Sequence, residues 1–102
     1  MKEILIIGSG LHSKVVLSEI MKMKNCKVVG FVDENKKEKT IIEKYKNKNF
    51  KVVGNIKQIK KILNKKTEGI IAVGSNFQRK KIAKKINKIY KNFKWATLIS
   101  KD

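Results

Sequence analysis

The apolar residues come in short runs, each ended by a glycine or an aspartate. Residues 3–7 carry the near-continuous run Ile4-Leu5-Ile6-Ile7 and stop at Gly8, the pattern of a parallel strand covered on both faces. From Lys14 onward Val15, Val16, Ile20 and Met23 share one helical face. Lys27–Val32 reads as a second strand ending at Asp33, and Lys51-Val52-Val53 as a third ending at Gly54. Asn55 is an N-cap for a helix carrying Ile56, Ile59, Ile62 and Leu63. Gly69–Val73, the most hydrophobic strand, stops at Gly74. Ser75 then caps a helix with Phe77, Ile82, Ile86 and Ile89 along one side. A last strand is expected over Lys94–Ile99. Residues 34–50 are rich in lysine and asparagine, with an island at Ile41-Ile42 and Tyr45, and predict a solvated connection with one or two helical turns.

The order β-α-β-loop-β-α-β-α-β predicts an α/β fold, a small Rossmann-like, doubly wound parallel sheet in a three-layer αβα arrangement. The 102 residues fit one domain, residues 1–102, without internal repeat. A hydrophobic share of 41% supports a packed core and excludes a disordered tail. The single Cys26 excludes a disulfide framework, and with one histidine no metal site is predicted. The longest apolar runs are far below the roughly 18 residues of a membrane span. The first is also too short for a secretory signal, so a cytoplasmic domain is expected.

A net charge of +18 raises the question of an anionic partner. Of the 26 basic residues only Arg79 is arginine, the residue that nucleic-acid readers use for bidentate contacts. Lysine, isoleucine and asparagine are abundant together, as in chains encoded by AT-rich genes. The charge therefore predicts weak, salt-sensitive attraction to polyanions and no specific nucleic acid.

In open parallel sheets ligands bind at the carboxyl ends of the strands. Three segments fall there, Gly8–Lys14, Asp33–Lys36 and Gly74–Phe77. In Gly8-Ser9-Gly10-Leu11-His12-Ser13-Lys14, Gly8 permits a tight turn and Gly10 lets a phosphate approach backbone N–H groups at a helix start. Asp33 lies 23 residues after Gly10, where dinucleotide sites place a ribose-binding acid. Ser13 stands where the dinucleotide fingerprint wants a third glycine, which counts against an NAD(P) site. His12 has two readings, an exposed structural residue or a partner of the phosphate site. Cys26, Phe31, Phe93 and Trp95 read as packing residues, and the lysines of 57–66 and 79–91 as wet helix faces.

Five stretches, Ile4–Val16 (ILIIGSGLHSKVV), Val29–Lys36 (VGFVDENK), Val53-Gly54-Asn55, Ile71–Ile82 (IAVGSNFQRKKI) and Ala96–Ser100 (ATLIS), resemble in order the PglD-like N-terminal domain of the sugar O/N-acyltransferases. That family includes sialic acid O-acetyltransferases and the acetyltransferases of bacillosamine-type UDP-sugars. Leu11 and Ser13 depart from its usual G-x-G-G-H-A/G loop, and Glu34 from its Asp-Asp pair. The resemblance implies a domain that binds a UDP-sugar. It implies a downstream left-handed β-helix of hexapeptide repeats that holds the catalytic histidine, takes acetyl-CoA as co-substrate and forms a homotrimer.

By this resemblance Gly10, Leu11 and His12 line the sugar nucleotide, Asp33 and Glu34 meet the uridine end, and Gly74 lies beneath it. Gly8 and Asn76 complete the substrate-binding set. No catalytic residue and no cofactor are assigned to residues 1–102, which alone are expected to transfer no acetyl group. A nicotinamide-binding module and a polyanion-binding domain are the alternatives.

Overall fold

The computed structural model describes residues 1–96. Its elements are β1 (Lys2–Ile7), α1 (Leu11–Met21), β2 (Cys26–Val32), β3 (Ile41–Tyr45), β4 (Lys48–Gly54), a 3-10 helix (Ile56–Lys61), β5 (Thr67–Ile71) and α2 (Asn76–Ile89). The five strands form one sheet in the order β3-β4-β2-β1-β5. All neighbours are parallel except β3, which runs antiparallel to β4.

β1 explains the layering. Its four apolar residues are each 3% exposed or less, and they alternate between two cores. Ile4 and Ile6 meet Val16, Leu17 and Ile20 of α1 on one face. Leu5 and Ile7 meet Ile56 and Ile59 of the 3-10 helix and Ile86 of α2 on the other. This is the expected Rossmann-like sandwich of helix, sheet and helix. On β2 the parity breaks, because Ile4 pairs with Val28 and Leu5 with Gly30, leaving Val29 as an extra residue. Val28 and Phe31 thereby face the same core. A side chain at Gly30 would put its Cβ 2.8 Å from the Lys51 carbonyl oxygen, so the bulge admits only glycine without a shift of the neighbouring strand.

Three expectations change. Residues 34–50 hold no helical turn but strand β3, because Ile42 and Tyr45 pack against the α1-side core. Lys46 and Asn47, both at positive φ (48° and 67°), form the two-residue turn between the paired Tyr45 and Lys48. The helix after Asn55 is a single short 3-10 segment. Asn55 and Gln58 cap it reciprocally, and the spacing of Ile56, Ile59 and Ile62 is the three-residue period of that helix. On α2 only Ile86 is buried, whereas Phe77 and Ile89 are exposed. Nine residues separate Phe77 from Ile86, about two and a half turns, which puts them on opposite sides of the helix.

β5 lies beside β1 in the sheet. Among the described residues its far side meets one parallel bridge, Gly69 with Trp95. The remainder of the strand expected over Lys94–Ile99 lies beyond the described residues. Tyr90, Phe93 and Trp95 stack in sequence, Phe93 edge-on to Trp95 at 4.6 Å between ring centres, and close the α2-side core. Phe31 is fully buried, and Cys26 is half-buried against the α1-side core.

The turn at Lys46-Asn47 uses residues that tolerate left-handed backbone less well than the preferred Asn-Gly pair. The double variant Lys46→Asn/Asn47→Gly is expected to raise unfolding free energy by about 1 kcal/mol, measured by urea denaturation.

Candidate functional site

β1 hands the chain to α1 on one face of the sheet, and its neighbour β5 hands it to α2 on the other. Where adjacent strands send their connections to opposite faces, the loops part and leave a crevice. A cleft of about 600 Å³ opens there. Its floor is Ile7, Val32, Ala72 and Val73, its walls are the loops Gly8–His12 and Asp33–Asn35, and Gly74, Phe77 and Lys81 close the remaining side.

Each loop has a local cause. Gly8 sits at φ +106°, and a Cβ there would stand 3.0 Å from the Ala72 carbonyl oxygen, so the turn from β1 passes close to β5 only as glycine. Gly10 caps α1 with no side-chain hydrogen bond, and α1 has no acid in its first turn. The helix therefore presents the positive end of its dipole to the cleft without a protein anion at its first turn. Ser13, in place of the third glycine, is fully buried and donates its hydroxyl to the Gly10 carbonyl at 2.6 Å. It fits the close approach of helix to sheet and adds nothing to the cleft lining.

Asp33 ties two loops together. One carboxylate oxygen accepts the Ser9 hydroxyl, and the other accepts the N–H groups of Asn35 (2.7 Å) and Lys36 (3.1 Å). The Lys36 ammonium donates to the Ser9 hydroxyl (2.9 Å) and to the Ser9 carbonyl (3.1 Å). Partial burial is the largest single influence on Asp33 and opposes its ionisation. The Ser9, Asn35 and Lys36 hydrogen bonds, with the Lys36 charge, together outweigh burial and hold the carboxyl below its ordinary value of 3.8. Glu34 turns to a structural task, accepting the Ile56 N–H at 2.9 Å and so fixing the start of the 3-10 helix.

Of the eight residues singled out in the sequence, Gly8, Gly10, Leu11, His12, Asp33, Glu34 and Gly74 come together around this cleft. Asn76 does not. It lies on the far side of the α2 start, where its side chain holds Arg79 in a separate groove with Trp95 and Ala96. Gly74 has open space where a Cβ would go and no positive φ, so its small size matters for room and not for backbone freedom. Leu11 (84% exposed) and Phe77 (75% exposed) stand at the mouth as an apolar pair. Periodicity assigned Phe77 to the core, and Ser9 and Lys36 carried no motif of their own. Only their place at strand ends marked them.

The described residues contain no group of three or more potential metal-ligating His, Cys, Asp or Glu side chains. None of the described helices is long and apolar enough to cross a membrane.

A doubly wound sheet with a cleft at its switch point, walled by a glycine loop and a helix start, defines a Rossmann-like domain. Residues 3–86 match the family model of the PglD N-terminal domain, and the chain belongs to that family. The same fold occurs in the acetyltransferase domain of PglB from Neisseria gonorrhoeae FA1090, with a TM-score of 0.68 and 24% identity. A second structure, that domain in complex with acetyl coenzyme A, superposes with a TM-score of 0.70 at 23% identity. All or nearly all of the present chain is covered, but only 46% and 45% of those chains, so it spans less than half their length. No curated protein matches the sequence.

Because the folded-state value of Asp33 lies below its ordinary value, the ionised tie stabilises the fold fully above pH 3.8 and is lost as pH falls from there through the lower folded-state value. Urea unfolding is expected to show wild type more stable than Asp33→Asn at neutral pH. The gap should narrow as pH drops below the ordinary carboxyl range.

Proposed function

We infer that the chain is the nucleotide-sugar-binding domain of a sugar acetyltransferase, and that its switch-point cleft takes a UDP-sugar. The carrying observation is the α1 start, capped by Gly10 without a side-chain bond, opening on a cleft large enough for a nucleotide. The diphosphate belongs at this helix start, where backbone N–H groups and the dipole favour anions, and His12 stands beside it. The nucleoside lies toward Asp33–Asn35. Asp33 acts there mainly by holding that loop against Ser9, since its hydrogen bonds within the chain occupy both oxygens. The sugar extends toward Leu11 and Phe77 at the mouth.

Acetyl transfer requires a base placed against the acceptor and a site for the thioester. The cleft holds one imidazole, His12, and the function proposed for this domain is binding. The acetyl-CoA complex of the PglB domain and the membership in the PglD family support acetyl-CoA as the co-substrate of a longer protein. The catalytic β-helix and the homotrimer belong to that same proposal. The NAD(P) reading is disfavoured because Asp33, its ribose-binding acid, is already committed to Ser9, Asn35 and Lys36.

Calorimetric titration checks this reading. UDP is expected to bind the chain, and NAD and acetyl-CoA are not. Gly74→Val fills open cleft space without backbone strain, so it should weaken UDP binding at least about tenfold, the loss of roughly 1.4 kcal/mol, with unchanged melting temperature. Lys60→Ala, remote from the cleft, should leave UDP affinity unaltered. Equal UDP affinity in wild type and Gly74→Val would place the ligand elsewhere.

A further inference from the structure

The charge is not spread evenly. Residues 1–54 carry twelve cations and six carboxylates, whereas residues 55–96 carry thirteen cations and one, Glu68. Glu68 is itself mostly buried and paired with Lys2 at 3.5 Å. The excess therefore falls on α2, the 3-10 helix and the segments beside them, all on one face of the sheet.

On α2 the cations form a comb. Lys81, Lys84 and Lys88 lie at i, i+3 and i+7 along the side opposite the buried Ile86, flanked by Lys80 and Lys85. Five lysine pairs stand three or four residues apart, a spacing at which like charges destabilise a helix. No carboxylate occurs between Gly69 and Ala96 to offset them. Tyr90 donates its hydroxyl to the Ile56 carbonyl at 2.8 Å and accepts the Lys60 N–H at 3.2 Å, binding α2 to the 3-10 helix. Lys57, Lys60 and Lys61, all exposed, extend the same basic surface.

One apolar side chain protrudes on the side of the comb, Phe77 at the start of α2, whereas Ile89, three residues past Ile86, is half exposed on the flank. The features of a nucleic-acid reader are missing from it. The only arginine of the chain, Arg79, has its guanidinium held by Asn76, and Phe77 is the one exposed aromatic on the helix. A row of lysines with an exposed aromatic at one end matches the surface of an anionic bilayer, which attracts ammonium groups and admits an apolar tip. We propose that the α2 face docks this domain peripherally on anionic lipid membranes. The proposal rests on charge placement; Phe77 and Lys81 at the upper end of the face also line the cleft, so its test uses Lys84, Lys85 and Lys88, which do not.

Cosedimentation tests it. The chain is expected to sediment with vesicles of equal parts phosphatidylglycerol and phosphatidylcholine, to stay in solution with phosphatidylcholine alone, and to be released by salt. The triple variant Lys84→Glu/Lys85→Glu/Lys88→Glu should lose at least about a hundredfold in vesicle partitioning, since each lysine near such a surface contributes about a tenfold or smaller factor. Lys24→Glu/Lys37→Glu/Lys44→Glu makes the same change in net charge elsewhere and should lose less than about tenfold. Circular dichroism establishes that each variant is folded, and Lys84→Gln/Lys85→Gln/Lys88→Gln replaces the first triple if it is not. Equal losses in the two triples, no preference for anionic vesicles, or tighter binding to a mixed-sequence RNA than to the vesicles would each overturn the proposal.

Discussion

The organisation of this domain depends on the burial of β1 from both sides. A strand with Ile4 and Ile6 on one face and Leu5 and Ile7 on the other needs a covering layer on each, and neither layer can be omitted without exposing two large side chains. α1 supplies one layer directly after β1. The 3-10 helix supplies part of the other on the crossing from β4 to β5, and α2 supplies the rest after β5. The requirement for two covers sends the connections after β1 and β5 to opposite faces. The cleft is the space left where they part.

What makes that space a shaped site is the tie among Ser9, Asp33 and Lys36. The Gly8 N–H, donated to the Val32 carbonyl at 2.8 Å, joins the two strand ends, and the tie carries that junction outward into the loops. With it, the glycine loop is held to the end of β2 by one hydroxyl and one ammonium, and Asp33 keeps its charge by accepting from Ser9 and two backbone N–H groups. Glu34 extends the same economy to the third loop by capping the 3-10 helix through Ile56. Two adjacent acids at a strand end thus fix three loops around one cleft.

The layered fold could be read from the chain because β1, β2 and β5 each end at a residue that marks a turn, and because the apolar runs between them are unbroken. The covering of Ile4 to Ile7 follows from the run itself. Other features could not be read, for identifiable reasons. The hairpin of β3 and β4 is hidden because its turn, Lys46-Asn47, lacks the glycine that usually signals one. The bulge at Val29 conceals that Val28 and Phe31 share a face, since strict alternation would separate them. Phe77 has the spacing of a core residue only if two and a half helical turns are overlooked. In the site, the glycine loop and Asp33 stand out by type and position. The bond from Ser9 to Asp33 spans 24 residues and leaves no trace in local pattern.

The central claim is that the ligand sits at the parting of β1 and β5. Amide chemical shifts of the isotopically labelled chain, followed by NMR during titration with UDP, test it most directly. The account predicts that the largest changes cluster at Gly8–Ser13, Asp33–Asn35 and Val73–Gln78, with the residues around Leu63–Thr67 and Lys91–Lys94 at the opposite end of the sheet unmoved. Shifts concentrated in that second group, which lines a separate lysine-edged groove, would contradict it.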